Sequence, residues 1–112
     1  MTAVNVLVIF SSRSGVTEKL ALAAAVGAVQ ARANIRIRRL PANGEEAAEH
    51  TDILARMQRE YVPPTSTDAA WADAVLIGIN GKIAGIPVEP IAATAFGRQT
   101  AEDARAFKNP QR

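Results

Sequence analysis

The stretch "IFSSRSGVTEKLA", residues 9–21, decides the fold, because an apolar run ends within it and a segment rich in alanine and leucine begins. The apolar run, Val4–Phe10, is hydrophobic at nearly every position, which is typical of a parallel strand buried on both faces. The segment that follows, Gly15–Arg32, contains many small residues, so a helix there can lie close to a sheet. A buried strand that leads directly into a helix indicates an α/β protein.

Two further segments are predicted to be strands. Residues Ile35–Leu40 alternate isoleucine with Arg36 and Arg38, which indicates an edge strand with one face in water. Residues Asp73–Ile79 are apolar after the first residue and predict another buried strand, against which the preceding Trp71 is expected to pack. The first strand, the helix and the edge strand follow one another at the spacing of a right-handed βαβ unit. The sequence therefore predicts a parallel sheet.

Two more helices are predicted, over Glu45–Tyr61 and over Val88–Lys108, the second with Pro90 near its first turn. Between the first of these and the third strand, residues 62–68 (VPPTSTD) indicate a loop, with Asp68 as a helix N-cap. The residues predicted to share one face are His50, Ile53, Leu54, Met57 and Tyr61 in the first helix, and Ala93, Phe96, Gly97, Thr100, Ala101, Ala104 and Phe107 in the second.

The composition limits the class of protein. The 112 residues are expected to form one domain, residues 1–112, and the 48% of hydrophobic residues indicates a globular chain. Cysteine is absent, which excludes disulfides and thiolate metal sites and fits a cytoplasmic location; no metal site is predicted. No signal peptide and no bilayer-spanning stretch are predicted, so no membrane partner is expected. The net charge of +2 gives no strong case for a nucleic-acid partner.

Three hydroxyl side chains, Ser12, Ser14 and Thr17, alternate where the first strand gives way to the first helix. The start of a helix offers free backbone N–H groups and the positive end of the helix dipole, so it is a natural place for a phosphate. Gly15 allows the backbone to turn tightly and to approach an anion. In the alternative interpretation Ser14 only caps the helix and Glu18 is a first-turn acid, but one cap leaves the other two hydroxyls unexplained.

The stretch Ser12–Thr17 resembles the phosphate loop of flavodoxins, in which the pattern (Ser/Thr)-x-(Ser/Thr)-Gly-x-Thr follows the first strand. It lacks the Gly-Lys-Ser/Thr ending of a Walker motif and the GxGxxG pattern of dinucleotide folds. Residues 68–78 (DAAWADAVLIG) and 93–107 (ATAFGRQTAEDARAF) are similar to segments of flavodoxin-like NAD(P)H:quinone oxidoreductases of the tryptophan-repressor-binding-protein type. Together these matches cover most of the chain, in the family's order.

The resemblance implies a non-covalently bound FMN, with NAD(P)H as a co-substrate and a quinone as substrate. The first loop would hold the phosphate, and the loop Ile79–Lys82 would flank the flavin ring. Lys82 or the backbone near Asn80 would stabilise negative charge on the reduced ring. The cofactor-binding residues so implied are Ser12, Arg13, Ser14, Gly15, Val16, Thr17, Asn80, Gly81 and Lys82. No catalytic residue is assigned, because the redox chemistry would belong to the cofactor.

The chain is shorter than members of this family, which have a fourth and a fifth strand before the last helix. Here only residues 80–89 separate the third strand from the last helix. The resemblance therefore implies a flavodoxin-like three-layer fold with a shortened parallel sheet of order 2-1-3, taken from the flavodoxin order 2-1-3-4-5, and helices on both faces. The third strand would lie at an edge, although its sequence is wholly apolar. A short extra strand from residues 82–88 would cover this edge, but the favoured prediction is a homodimer through the third-strand edge.

The missing strands leave a second interpretation open. The absent fourth strand carries a loop that flanks the flavin in the family, so the chain is also compatible with a degenerate flavodoxin-like module that binds no flavin and acts in dimerisation or protein interaction. A flavin-free enzyme has less support, because the chain has no cysteine nucleophile, no G-x-S-x-G elbow and a single histidine, His50, on an apolar stripe.

Overall fold

The computed structural model describes residues 3–12, 15–41 and 51–108. In these ranges a five-stranded sheet has the order β2-β1-β3-β4-β5. The strands are β1 (Asn5–Ser11), β2 (Asn34–Arg39), β3 (Ala74–Ile79), β4 (Lys82–Ile83) and β5 (Ile86–Pro87), and the helices are α1 (Val16–Gln30), α2 (Thr51–Glu60), α3 (Ser66–Trp71) and α4 (Pro90–Lys108). Residues 42–50 lie outside the described residues, and with them the first part of the helix predicted over Glu45–Tyr61, including His50.

Strands β2, β1 and β3 are parallel, which confirms the predicted order 2-1-3 and the α/β class. In this register Val8 lies between Ile37 and Leu76, so one layer of apolar side chains crosses the three strands. Residues 82–88 do supply further strands, because β4 pairs antiparallel with β3 and β5 pairs antiparallel with β4. The shortened sheet is thus extended by a small meander.

One face of the sheet carries the main core. The β1 side chains of Val6, Val8 and Phe10 are fully buried there together with Ala24 of α1 and Met57 of α2. Helix α4 belongs to the same cluster and packs closely on α1. Phe107 was predicted to lie on the apolar face of α4, but its side chain is 84% exposed, because it lies in the last turn beyond the core.

The opposite face of the sheet is covered at β2 by the short helix α3, so helices lie on both faces as predicted. The prediction that β2 is an edge strand is confirmed. Its arginine face lies only partly in water, because Asp68 of α3 accepts hydrogen bonds from Arg36 at 3.1 Å and from Arg38 at 3.0 Å, which leaves these side chains 33% and 23% exposed. The Arg36 guanidinium also lies 4.3 Å from the ring centre of Trp71. Asp68 is not the N-cap; Thr65 is, and the two form a reciprocal capping box.

The Asp68 carboxylate makes the stability of this face depend on pH. The hydrogen bond from Arg38, with those from Thr65 and Arg36, lowers the pKa of Asp68 to about 2 from an ordinary value of 3.8. A lowered folded-state pKa stabilises the fold above the ordinary value, and this contribution is lost as the pH falls through the folded value. As the pH is lowered from about 4 to about 2, we expect the urea concentration at the unfolding midpoint of the wild type to fall. Asp68→Asn should remove the part of this fall that comes from Asp68.

The control for this measurement is Asp52→Asn, since Asp52 is exposed in α2. It should keep the wild-type pH dependence in this window. An Asp68→Asn protein whose midpoint falls with pH as steeply as that of the wild type would contradict the assigned ion-pair network.

Strand β3 is exposed on the face opposite α1. Its side chains Val75, Ile77 and Ile79 are 47%, 45% and 44% accessible, respectively. The prediction that β3 is buried on both faces is therefore wrong, because Leu76 and Gly78 are buried while Val75, Ile77 and Ile79 on the other face are exposed. Within the described ranges, no helix combines the length and the apolar character needed to cross a bilayer.

Candidate functional site

The two segments predicted to form the site come together at the carboxyl ends of β1 and β3. The Thr17 hydroxyl, in the first turn of α1, accepts a hydrogen bond of 2.8 Å from the backbone N–H of Gly81. The Thr17 residue is only 4% exposed. Ligands of parallel α/β sheets bind outside the carboxyl ends of the strands, so this contact marks the edge where a ligand is expected.

The turn from β1 into α1 is built around Ser12 and Gly15. The buried Ser12 hydroxyl accepts a hydrogen bond of 3.0 Å from the Gly15 N–H. Gly15 has a φ of 92°, a left-handed conformation that favours glycine, and it is the N-cap of α1. The alternative in which Ser14 caps the helix is therefore wrong. Because glycine has no side chain, the N-cap residue itself does not bond the first-turn N–H groups of α1.

The described hydrogen bonds of Ser12 and Thr17 use their oxygen atoms as acceptors. Each serine or threonine hydroxyl has one donor and two acceptor positions. Ser12 and Thr17 each use an acceptor position on a backbone N–H, so neither of these bonds consumes the hydroxyl proton. Arg13 and Ser14 lie outside the described residues, and the Val16 side chain is exposed.

A buried carboxylate lies next to the turn. Glu18, whose side chain is 6% exposed, forms an ion pair with Arg56 of α2, with Nη2 and Oε1 2.6 Å apart. The Tyr61 hydroxyl donates a second bond of 2.7 Å to Glu18, and the Tyr61 ring meets Phe10 edge to face. The sequence placed Tyr61 on the apolar stripe of α2, but no local pattern could bring Arg56 to a residue 38 positions away.

Arg39 at the end of β2 also supports the turn. It pairs with Phe10 in the sheet register, so its side chain lies on the α1 face, and it is only 3% exposed. Its Nη2 donates a hydrogen bond of 3.0 Å to the Ser12 carbonyl oxygen. Sequence reasoning missed this residue, although strand alternation places Arg39 on the same side as Ile37 and opposite Arg38.

The predicted ring-flanking segment is a tight hairpin turn between β3 and β4. Asn80 and Gly81 have φ angles of 53° and 76°, the combination that two-residue hairpins with a primed turn require. The Asn-Gly pair is the sequence signal that is typical of such a hairpin. A cavity of about 380 Å³ opens beside the turn, lined by Ile77, Ile79, Asn80, Lys82, Ala84 and Gly85.

No known protein family matches the sequence, and no curated protein matches it. In the part of the chain that the structure describes, no three acidic or histidine side chains cluster as a metal site would require. The functional interpretation is therefore argued from the residues of this site.

Proposed function

We propose that the chain is an FMN-binding oxidoreductase or electron-transfer protein that reduces quinones with NAD(P)H. The observation that carries the proposal is the bond from Gly81 to the Thr17 hydroxyl, which joins the turn before α1 to the turn after β3 at one edge of the sheet. The resemblance of Ser12–Thr17 to a flavodoxin phosphate loop supplies the identity of the ligand.

The residues around α1 fit a phosphate group. The hydroxyl protons of Ser12 and Thr17 and the first-turn N–H groups are donors, which a phosphate requires as partners. A Cβ on Gly15 would make only ordinary contacts, 3.6 Å from the Glu18 carboxylate and 3.7 Å from Ile53, so it is the φ of 92° that favours glycine at this turn. Arg13, Ser14 and Val16 complete the proposed loop.

The turn after β3 would take the flavin ring. The cavity beside it is lined by apolar Ile77 and Ile79 and by polar Asn80 and Lys82, the mixture that small-molecule sites show. Gly81 would anchor this turn to the phosphate loop, and Lys82 would place a positive charge near the ring. Bound FMN would supply the redox chemistry, and the chain would bind and orient it. A cytoplasmic location, consistent with the lack of cysteine, is part of the proposal.

The enzyme assay compares the purified protein supplied with FMN and the same protein supplied with riboflavin. We expect NAD(P)H-dependent quinone reduction above the rate of free FMN only in the first sample. Thr17→Val, which removes the hydroxyl but keeps a similar shape, should lower that rate. Quinone reduction no faster than that of free FMN would contradict the enzymatic part of the proposal.

A second candidate function, a flavin-free module for dimerisation or protein interaction, is favoured by the exposed side of β3. Among the described residues, β4 pairs only with Gly78 and Ile79, and the hairpin adds one bond from the Ala84 N–H to the Ile77 carbonyl. The amino-terminal half of β3 thus has no strand partner on this side in the described ranges. An apolar strand with an open edge is a site for pairing, and a homodimer through this edge would cover it.

Replacement of Ile77 by lysine tests the proposed homodimer. The wild type should elute with twice the chain mass of 11.9 kDa in size exclusion with light scattering. Ile77→Lys should give a monomer, because Ile77 borders the open half of β3 and a charged side chain on an edge strand opposes pairing with a second copy. Ile91→Lys, at an 88% exposed position of α4, is the matched control and should remain dimeric. A wild type that is monomeric at micromolar concentration would contradict the dimer.

A further inference from the structure

We infer that Arg56 determines the preference of the site for a phosphate-bearing flavin, by balancing the charge of Glu18 beside the loop. Arg56 is assigned as a positioning residue that acts through Glu18. The inference rests on the proposed FMN binding and adds to it a residue of α2 that the phosphate-loop pattern does not contain.

The contact between the two side chains is a two-pronged ion pair. Arg56 Nη2 lies 2.6 Å from Glu18 Oε1, and Arg56 Nη1 donates to Glu18 Oε2 at 2.9 Å. The Tyr61 hydroxyl donates to the same Oε2 at 2.7 Å, so both carboxylate oxygens are held in place. This geometry fixes the Glu18 charge and keeps it paired.

The paired carboxylate lies beside the proposed phosphate position. Glu18 Oε1 would be 3.6 Å from a Cβ built on Gly15, the residue at which the loop turns into α1. An unpaired carboxylate at such a distance would repel a phosphate dianion and would compete with it for the positive end of the helix dipole. The pKa of Glu18 is lowered, chiefly by its hydrogen bond from Arg56, so Glu18 stays ionised at neutral pH.

Among the residues that the structure describes, Arg56 is the cation that forms an ion pair with Glu18. Arg39 lowers the pKa of Glu18 through its charge, but its described hydrogen bond goes to the Ser12 carbonyl. Glu60 accepts from Arg56 at 2.7 Å and is 52% exposed, so water screens much of its charge. The Arg56 side chain is itself 38% exposed, so part of it lies in water.

The test measures the dissociation constants of FMN and riboflavin at low ionic strength for four proteins. Arg56→Met should weaken FMN binding about tenfold and leave riboflavin binding unchanged, because only FMN has the dianion. Arg59→Met removes one positive charge from an exposed position of the same helix and should keep the wild-type ratio. The double variant Arg56→Met/Glu18→Gln should restore FMN affinity to within about threefold of the wild type, since it removes both charges.

The outcomes separate this inference from the proposed function. Equal affinity of the wild type for FMN and riboflavin overturns the proposed function and the inference with it. The inference alone is overturned if Arg56→Met keeps the wild-type preference for FMN. It is also overturned if the double variant Arg56→Met/Glu18→Gln binds FMN no better than Arg56→Met does. If Arg56→Met does not fold, Glu18→Gln by itself decides: tighter FMN binding supports the inference, and unchanged or weaker binding overturns it.

Discussion

Replacing Gly97 or Gly27 by alanine is expected to lower the free energy of unfolding by about 2 kcal/mol or more, because each glycine lies against the backbone of the other helix. A Cβ on Gly97 would stand 2.6 Å from the carbonyl carbon of Ala24, and one on Gly27 would stand 2.7 Å from that of Thr94. Real Cβ atoms essentially never approach so closely. Both obstacles are backbone atoms, so α1 and α4 must separate and the core between them must open.

The direction of this effect is decided by comparing two magnitudes. Alanine is favoured over glycine within a helix by about 1 kcal/mol, so propensity alone would stabilise both variants. Overpacking a close contact costs about 1–3 kcal/mol and more where backbone must move, so we expect a net loss of about 2 kcal/mol or more. That is a large share of the stability of about 5–15 kcal/mol that is typical of a domain.

Urea unfolding followed by circular dichroism measures this loss. The control is Ala95→Val, which adds volume at an exposed position of α4 and should change the stability by about 0.5 kcal/mol or less. Gly97→Ala with a midpoint at or above the wild-type value would show that the helices are farther apart than described here.

The second large effect is expected on ligand affinity. Ser12→Ala combined with Ser14→Ala should weaken FMN binding at least about 100-fold, because each lost hydrogen bond to a charged group is worth about 1.5–3 kcal/mol. Riboflavin binding should not change. Loss of the Ser12 hydroxyl also removes the acceptor of the Gly15 N–H, so we expect a stability loss of about 1–3 kcal/mol with the fold retained.

The matched control for the loop variant is Ser66→Ala combined with Thr67→Ala. These residues are exposed in α3, on the other face of the sheet, and their loss removes the same number of hydroxyls. The control should bind FMN as the wild type does. If the loop variant also retains wild-type FMN affinity, the assignment of the phosphate to this loop is wrong.

The strands and the first helix were predictable because their signals are local. The β-branched run of β1 and the apolar β3 gave both strands to within one residue at each end. The short hairpin after β3 has a local signal too, since Asn-Gly is typical of a two-residue turn. Residue pairs that are distant in sequence have no such signal: Asp68 of α3 pairs with Arg36 and Arg38 of β2, which lie 32 and 30 positions away.

The same difference between local signals and contacts of distant residues applies to the candidate site. The hydroxyl pattern identified Ser12 and Thr17, but it could not show that both side chains are buried and already bonded to backbone N–H groups. The charges around the loop were also hidden, since Glu18 and Arg56 become neighbours only when α2 packs beside the start of α1. Sequence reasoning therefore found the donors of the site and missed its electrostatic environment.

The most direct test of the central claim, that the start of α1 holds the phosphate of FMN, is a titration of the purified wild-type protein with FMN and with riboflavin, followed by flavin fluorescence quenching. We predict saturable quenching by FMN at concentrations at least about tenfold lower than riboflavin requires. Absence of quenching by FMN up to about 1 mM would mean a binding free energy weaker than about −4 kcal/mol and would contradict the central claim. Equal affinity for the two flavins would contradict it as well.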